Sequence, residues 1–321
     1  MDSARSVVAR SITVLLSASC ALGGVACATR GLPHASSPDA QQAHAAQAVV
    51  EARDLPRVIA EATPPLVTLD VRTDAAYDAG HLPGAVRVDH ARWESDSLSD
   101  AYGLANEALW RSRIGELGID GRGTVVVYDG GSMTDAARIW FILQSFGTSD
   151  VRVVNGGFPL IAQAAKEGTL TLSTEPATPR AAAFLPASAE SARIAWIGRQ
   201  DLKSAVDEGR VQILDARSIK EFEGTDLRGN SRGGHLPGAT SVPHTSMLDS
   251  QRRLKSPEEL ASMFRAAGLS KGKPIVTHCQ GGGRAALAAL AAARAGYGPV
   301  VSYYLSFGDW SADASCPVVA P

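Results

Sequence analysis

A six-residue string occurs twice in this chain: Gly80-His81-Leu82-Pro83-Gly84-Ala85 returns letter for letter as Gly234-His235-Leu236-Pro237-Gly238-Ala239. A repeat at this separation restricts the fold to two copies of one architecture. The flanks agree. Val67 to Thr73 is matched by Gln212-Ile213-Leu214-Asp215-Ala216-Arg217-Ser218, and Thr124 to Asp129 by Pro274 to Cys279. His90 follows His81 by nine residues, as His244 follows His235. From Asp to His the interval is 11 residues in the first copy and 20 in the second, so an insertion spanning roughly Gly224 to Arg232 belongs to the second copy alone. The cysteine of copy two stands where copy one has Asp129.

Each copy alternates short apolar, β-branched runs with helical segments. Leu66 to Arg72, Val86 to Val88, Thr124 to Asp129 and Val151 to Val154 read as strands, the last two followed by Gly130-Gly131 and Gly156-Gly157 turns. Thr73 is placed to cap a helix through Tyr77, and Ala136 to Leu143 is a second helix. Strands alternating with helices predict an α/β fold with a mostly parallel sheet flanked by helices in each unit. The first domain is expected over 49–170 and the second over 193–321. Residues 171–192, rich in Thr, Ser, Glu and Ala and carrying Pro176, Pro179 and Pro186, read as a linker draped over a surface. With 321 residues and 45% hydrophobic composition, two ordinary cores can be buried.

The chain opens differently. Arg5 and Arg10 precede an apolar run from Ile12 to Ala26, short for a membrane span, and Ala26-Cys27-Ala28 resembles a cleavage site. Residues 1–28 therefore read as an export signal, 29–48 as a flexible spacer, and the location as periplasmic. Gly24-Val25-Ala26-Cys27 also resembles a bacterial lipobox, departing from it at Gly24, so a membrane link is expected only if Cys27 is lipidated. Either route leaves Cys279 and Cys316 in the mature protein, with Cys279 expected free and Cys316 a tail residue. A net charge of −2 offers no basic field for nucleic acid, and no Cys or His pair has zinc-ligand spacing.

The chemistry concentrates in Pro274-Ile275-Val276-Thr277-His278-Cys279-Gln280-Gly281-Gly282-Gly283-Arg284, which runs into an alanine-rich segment. A strand, a glycine turn and a helix start together present backbone N–H groups and the positive end of a helix. A thiol at the first position of such a turn has its anion stabilised, which makes Cys279 the candidate nucleophile. Gln280, Gly281, Gly282, Gly283 and Arg284 are the candidate binding residues, their amides and one guanidinium forming the cradle. His278 reads as a strand-end structural residue. Asp70, Arg72, His81, Asp215, Arg217 and His235 occur in both copies, including the one without a thiol, which favours scaffolding over catalysis. Arg138 is open between an exposed helix charge and a residue facing the inter-domain cleft. Asp129 is expected to repel an anionic donor.

These motifs resemble the tandem-domain sulfurtransferases of the rhodanese family. The resemblance rests on Leu69-Asp70-Val71-Arg72, Leu214-Asp215-Ala216-Arg217, the two His-Leu-Pro-Gly-Ala turns and the Cys279 loop. Asn155-Gly156-Gly157-Phe158 and Phe307-Gly308-Asp309-Trp310-Ser311 add segments similar to those that close each domain, so it spans residues 50–318. It implies two rhodanese-like domains, the second catalytic, and a small sulfur donor such as thiosulfate or 3-mercaptopyruvate attacked by Cys279. The resulting persulfide passes to a thiol or cyanide-like acceptor, and no cofactor or metal is implied. The alternative is an exported sulfur-carrier or redox-sensing module acting on a partner protein.

The chain departs from the family in two places. The animal thiosulfate type carries Arg and Lys after the cysteine and the mercaptopyruvate type Gly and Ser, whereas here Gln280 and Gly281 follow. A donor-binding Arg is also implied where this chain has Glu221, with Lys220, Arg228 or Arg232 as possible substitutes. A related fold hosts phosphatases with a His-Cys-x5-Arg loop. Here His278-Cys279 is followed by four residues before Arg284, a loop suited to a sulfur atom rather than a phosphate.

Overall fold

A computed structural model describes residues 47–99, 101, 103–186 and 194–320; the proposed export signal and all but the last two residues of the spacer lie outside these. In the first unit the elements run β1 (Val49–Val50), α1 (Leu55–Ala60), β2 (Val67–Asp70), α2 (Asp74–Asp78), β3 (Val86–Arg87), α3 (His90–Ser97), α4 (Glu107–Glu116), β4 (Thr124–Tyr128), α5 (Thr134–Ser145), β5 (Asp150–Val154) and α6 (Phe158–Lys166). The second unit repeats the theme with β6 (Ile194–Trp196), α7 (Arg199–Asp207), β7 (Gln212–Asp215), α8 (Ile219–Phe222), β8 (Ala239–Ser241), α9 (Pro257–Ala266), β9 (Ile275–His278), α10 (Gly283–Arg294), β10 (Val300–Ser302) and α11 (Ser306–Ala312). Each unit holds a five-stranded, all-parallel sheet, in the orders β1-β5-β4-β2-β3 and β6-β10-β9-β7-β8.

Parallel sheets are buried on both faces, which explains the unbroken apolar runs. Along β4, Val125 and Val127 point into one core cluster while Val126 and Tyr128 point into another. Along β9, Ile275 and Val276 divide the same way. The inner cluster is shared: it runs from Val127 and Ile139 of the first unit through Leu287 and Ala291 to Leu260 and Phe264 of the second. At its centre α5 packs on α10. Helix α10 is buried from Ala285 to Ala292, and its alanines combine high helix propensity with a thin side-chain layer that permits close approach.

Loop contacts also cross the seam. Asn155 accepts from the Leu254 amide at 2.7 Å and donates to the Leu254 carbonyl at 3.3 Å, and Arg252 Nε donates to the Gly131 carbonyl at 2.8 Å. Residues 171–186 turn back over the first unit, bridging Ser173 to His81 and bonding the Ala182 amide to the Gly115 carbonyl. Phe184 on this segment is tucked into the inner cluster.

Candidate active site

Strand β9 ends at His278, so Cys279 is the first residue past the sheet and α10 begins four residues later. Its side chain is 1% exposed. The amide of Gly282 donates to Cys279 Sγ at 3.1 Å. Gly282 sits at φ +94°, and a Cβ there would lie 2.7 Å from the Tyr304 carbonyl oxygen and 3.0 Å from Arg138 Nη1, so only glycine lets the amide face the sulfur.

The opposite wall is the start of α11. The Cys279 amide donates to Ser306 Oγ at 3.1 Å, and Ser306 Oγ stands 3.8 Å from Cys279 Sγ. The hydroxyl donates in turn to the Tyr303 carbonyl at 2.9 Å. Ser306 has φ +63° and is fully buried, a strained left-handed conformation beside the thiol. The amides of Phe307 and Gly308 donate to the carbonyls of Cys279 and Gln280 at 2.9 and 3.1 Å, which frees the loop's own N–H groups to turn inward.

Arg284 does not lie open to the thiol alone. Its Nη1 and Nη2 make a bidentate pair with Glu221 at 2.7 and 2.8 Å, and Glu221 is 3% exposed. The same carboxylate closes a capping box on α8, accepting from the Ser218 amide at 3.0 Å while Ser218 Oγ accepts the Glu221 amide. Burial alone would raise the Glu221 carboxyl, but the Arg284 and Ser218 hydrogen bonds outweigh it and bring it down to about 2. Burial likewise opposes the charge on Arg284, yet Glu221 and the neighbouring Cys279 push its value up. One guanidinium is thus shared by two acidic groups.

Gln280 faces the second-copy insertion, where its amide exchanges two hydrogen bonds with Asn230, at 2.8 and 3.0 Å. The first domain completes the enclosure. Arg138 on α5 is 4% exposed; its Nη2 donates to the Gly281 carbonyl at 2.8 Å and to Glu94 at 2.6 Å. Of the two readings open for Arg138, it therefore takes the cleft-facing one.

The duplicated residues are scaffolding. Asp70 clamps Arg72, which donates to the Gly80 carbonyl and lies 3.5 Å from the Phe158 ring centroid. Asp215, Arg217, Gly234 and Phe307 repeat the set, with 3.9 Å to the ring. His81 stacks on Tyr77 and His235 on Phe222, both at 3.8 Å. His278 is completely buried, which lowers its pKa, and its Nε2 lies 3.4 Å from Asp215.

Three readings need correction. Cys316 is more than a tail residue: it is fully buried in the outer cluster with Leu236 and Trp310, burial raises its thiol pKa, and both cysteines among the described residues, Cys279 and Cys316, are free. Arg232 is no substitute donor-binding group, because its guanidinium is spent on the carbonyls of Trp310, Ser311, Asp313 and Cys316. Asp129 does not face outward to repel a donor; its carboxylate accepts from the amides of Gly131 and Ala136 and from Ser132 Oγ, filling its own loop. Sequence reasoning missed Ser306 and Asn230. A serine next to the apolar Phe307 gives no sign of its backbone angle, and the register of the insertion is not readable from one chain.

Comparison with known proteins agrees with this architecture. The rhodanese-like domain model matches residues 53–164 and 199–313. Thiosulfate sulfurtransferase from Gallus gallus is 32% identical over 232 residues, covering 72% of this chain and 78% of that protein. 3-Mercaptopyruvate sulfurtransferase from Escherichia coli (strain K12) is 32% identical over 250 residues, covering 75% and 84%. The crystal structure of SseA from Escherichia coli, a 3-mercaptopyruvate sulfotransferase, superposes with a TM-score of 0.62 at 28% identity, over 81% of this chain and 99% of that one. With two matched domains and a thiol loop in the second, this chain belongs to the rhodanese family, among its tandem-domain sulfurtransferases.

Proposed function

We propose that the protein moves a sulfane sulfur from a small donor, thiosulfate or 3-mercaptopyruvate, to a thiophilic acceptor through a persulfide on Cys279. The observation that carries this reading is the Gly282 amide, just ahead of α10, 3.1 Å from a buried Cys279 Sγ. With thiosulfate, the Cys279 thiolate attacks the outer sulfur, its S–S bond breaks, and sulfite leaves with the bonding pair. With 3-mercaptopyruvate the C–S bond breaks and the thiol proton ends on the carbon of the departing pyruvate. Either way the enzyme holds Cys279–S–S⁻, whose terminal charge needs donors. The Gly282 amide already meets the sulfur, the other amides from Gln280 to Arg284 belong to the same loop, and Arg284 is the neighbouring cation. An acceptor thiolate or cyanide then attacks the terminal sulfur and Cys279 leaves as thiolate, a ping-pong cycle. The reading extends to an exported protein, supported by the charged and apolar start of the chain.

The test is intact-mass analysis after exposure to each donor. A gain of one sulfur atom, absent in Cys279→Ala and discharged by cyanide as thiocyanate, is the expected result. No adduct with either donor would sink the proposal.

A further inference from the structure

Charge around the thiol is laid out unlike that of a site built for a doubly negative ligand. Arg284, the one cation inside the loop, gives both terminal nitrogens to Glu221, a carboxylate that is itself buried and held in place by the α8 cap. Arg138 is committed to Glu94 and the Gly281 carbonyl. Residues 219–232, which carry the insertion, hold three basic and three acidic side chains. Of the three basic ones, Arg232 is held by backbone carbonyls, Arg228 lies 3.9 Å from Glu221, and Lys220 is exposed on α8. Next to the thiol in sequence, Gln280 makes an uncharged pair with Asn230 of the insertion. A thiolate attacking a dianion pays for like-charge approach, and here the field that would offset it is cancelled by one residue.

Resting on the proposed persulfide chemistry, we infer that Glu221 is a specificity-determining residue: by neutralising Arg284 it tunes the site to sulfur donors bearing a single negative charge and against dianionic ones. A monoanionic donor of this class is an alkanethiosulfonate, R–SO2–S⁻. The Cys279 thiolate attacks its terminal sulfur, the S–S bond breaks, and the sulfinate R–SO2⁻ leaves with the electron pair. The enzyme product is the same Cys279–S–S⁻ that thiosulfate gives with loss of sulfite, so the two donors differ chiefly by one unit of charge.

Loading is measured with thiosulfate and with methanethiosulfonate, on the full chain, as kcat/KM at several ionic strengths. The wild type is expected to favour the monoanion, with a thiosulfate rate nearly flat in salt. Glu221→Gln keeps the α8 capping box, since Gln serves at that position, and uncovers Arg284. It should raise the thiosulfate-to-thiosulfonate ratio about tenfold, the worth of one unscreened charge at this range in a partly buried site. Taking the ratio cancels any change in thiolate reactivity that both donors feel. Glu221→Asp keeps the charge and should keep the wild-type ratio. An unchanged ratio in Glu221→Gln overturns the inference, as does a wild type that prefers thiosulfate with a steep salt dependence, a result that needs no variant. Failure of both donors to load Cys279 would instead remove the persulfide reading beneath it.

Discussion

Ser306 sits in left-handed backbone, at φ +63°, where a side chain costs about 1–2 kcal/mol. It stays there because its hydroxyl is fixed at both ends, accepting the Cys279 amide and donating to the Tyr303 carbonyl. Ser306→Gly relieves the strain but gives up hydrogen bonds worth about 1 kcal/mol each. Stability should therefore move by no more than about 1 kcal/mol in urea unfolding. Turnover should fall at least about tenfold, less than for a full oxyanion-hole donor because the hydroxyl is 3.8 Å from the sulfur. Equal loss of stability and activity would show that the serine only holds the fold. At this scale the sequence was informative about the candidate nucleophile and its own loop, and silent about the side chains that reach it from elsewhere in the chain. Cys279 announces itself by the glycines behind it, whereas the Glu221–Arg284 pair joins residues 63 apart and inverts the arginine that the resemblance leads one to expect at 221.

Helix α5 belongs wholly to the thiol-free domain, yet through Arg138 it touches the candidate catalytic loop. The guanidinium holds the Gly281 carbonyl outward, and an outward carbonyl leaves the next amide, that of Gly282, pointing at the sulfur. Arg138→Met keeps the length and apolar stem while removing the donor. The expected outcome is a kcat reduced roughly tenfold with KM little changed, as for a lost transition-state contact, and partial recovery in Arg138→Lys. A KM effect alone would mean that Arg138 binds donor rather than shaping the loop. Most elements were legible, since buried parallel strands leave runs such as Thr124 to Tyr128 and the α10 alanines leave no other reading. The rotational setting of α5 was not, because it is decided by packing against α10, a long-range contact without a local signature.

The molecule as a whole is two sheets closed on a shared inner core, and the duplicated motifs made that plan readable. What they do not encode is the inequality of the halves: cross-seam bonds from Asn155, Arg252 and Arg138 make the thiol-free copy a structural partner of the other. The proposed export would act on this unit entire. Intact mass of the protein recovered from its native compartment should give a chain starting at Thr29 or a lipid-bearing Cys27, and a full-length chain retaining Met1 would refute export. The carboxylate of Asp129 adds a consequence of its own. In the first domain the side-chain oxygens of Asp129 are held by loop amides, so this backbone turns its N–H groups toward an acceptor at rest. If the second loop shares that property, charging and discharging the sulfur requires almost no rearrangement of the surrounding dipoles. In the language of charge transfer, a small reorganisation energy would leave the proposed cycle limited by the arrival and departure of small molecules.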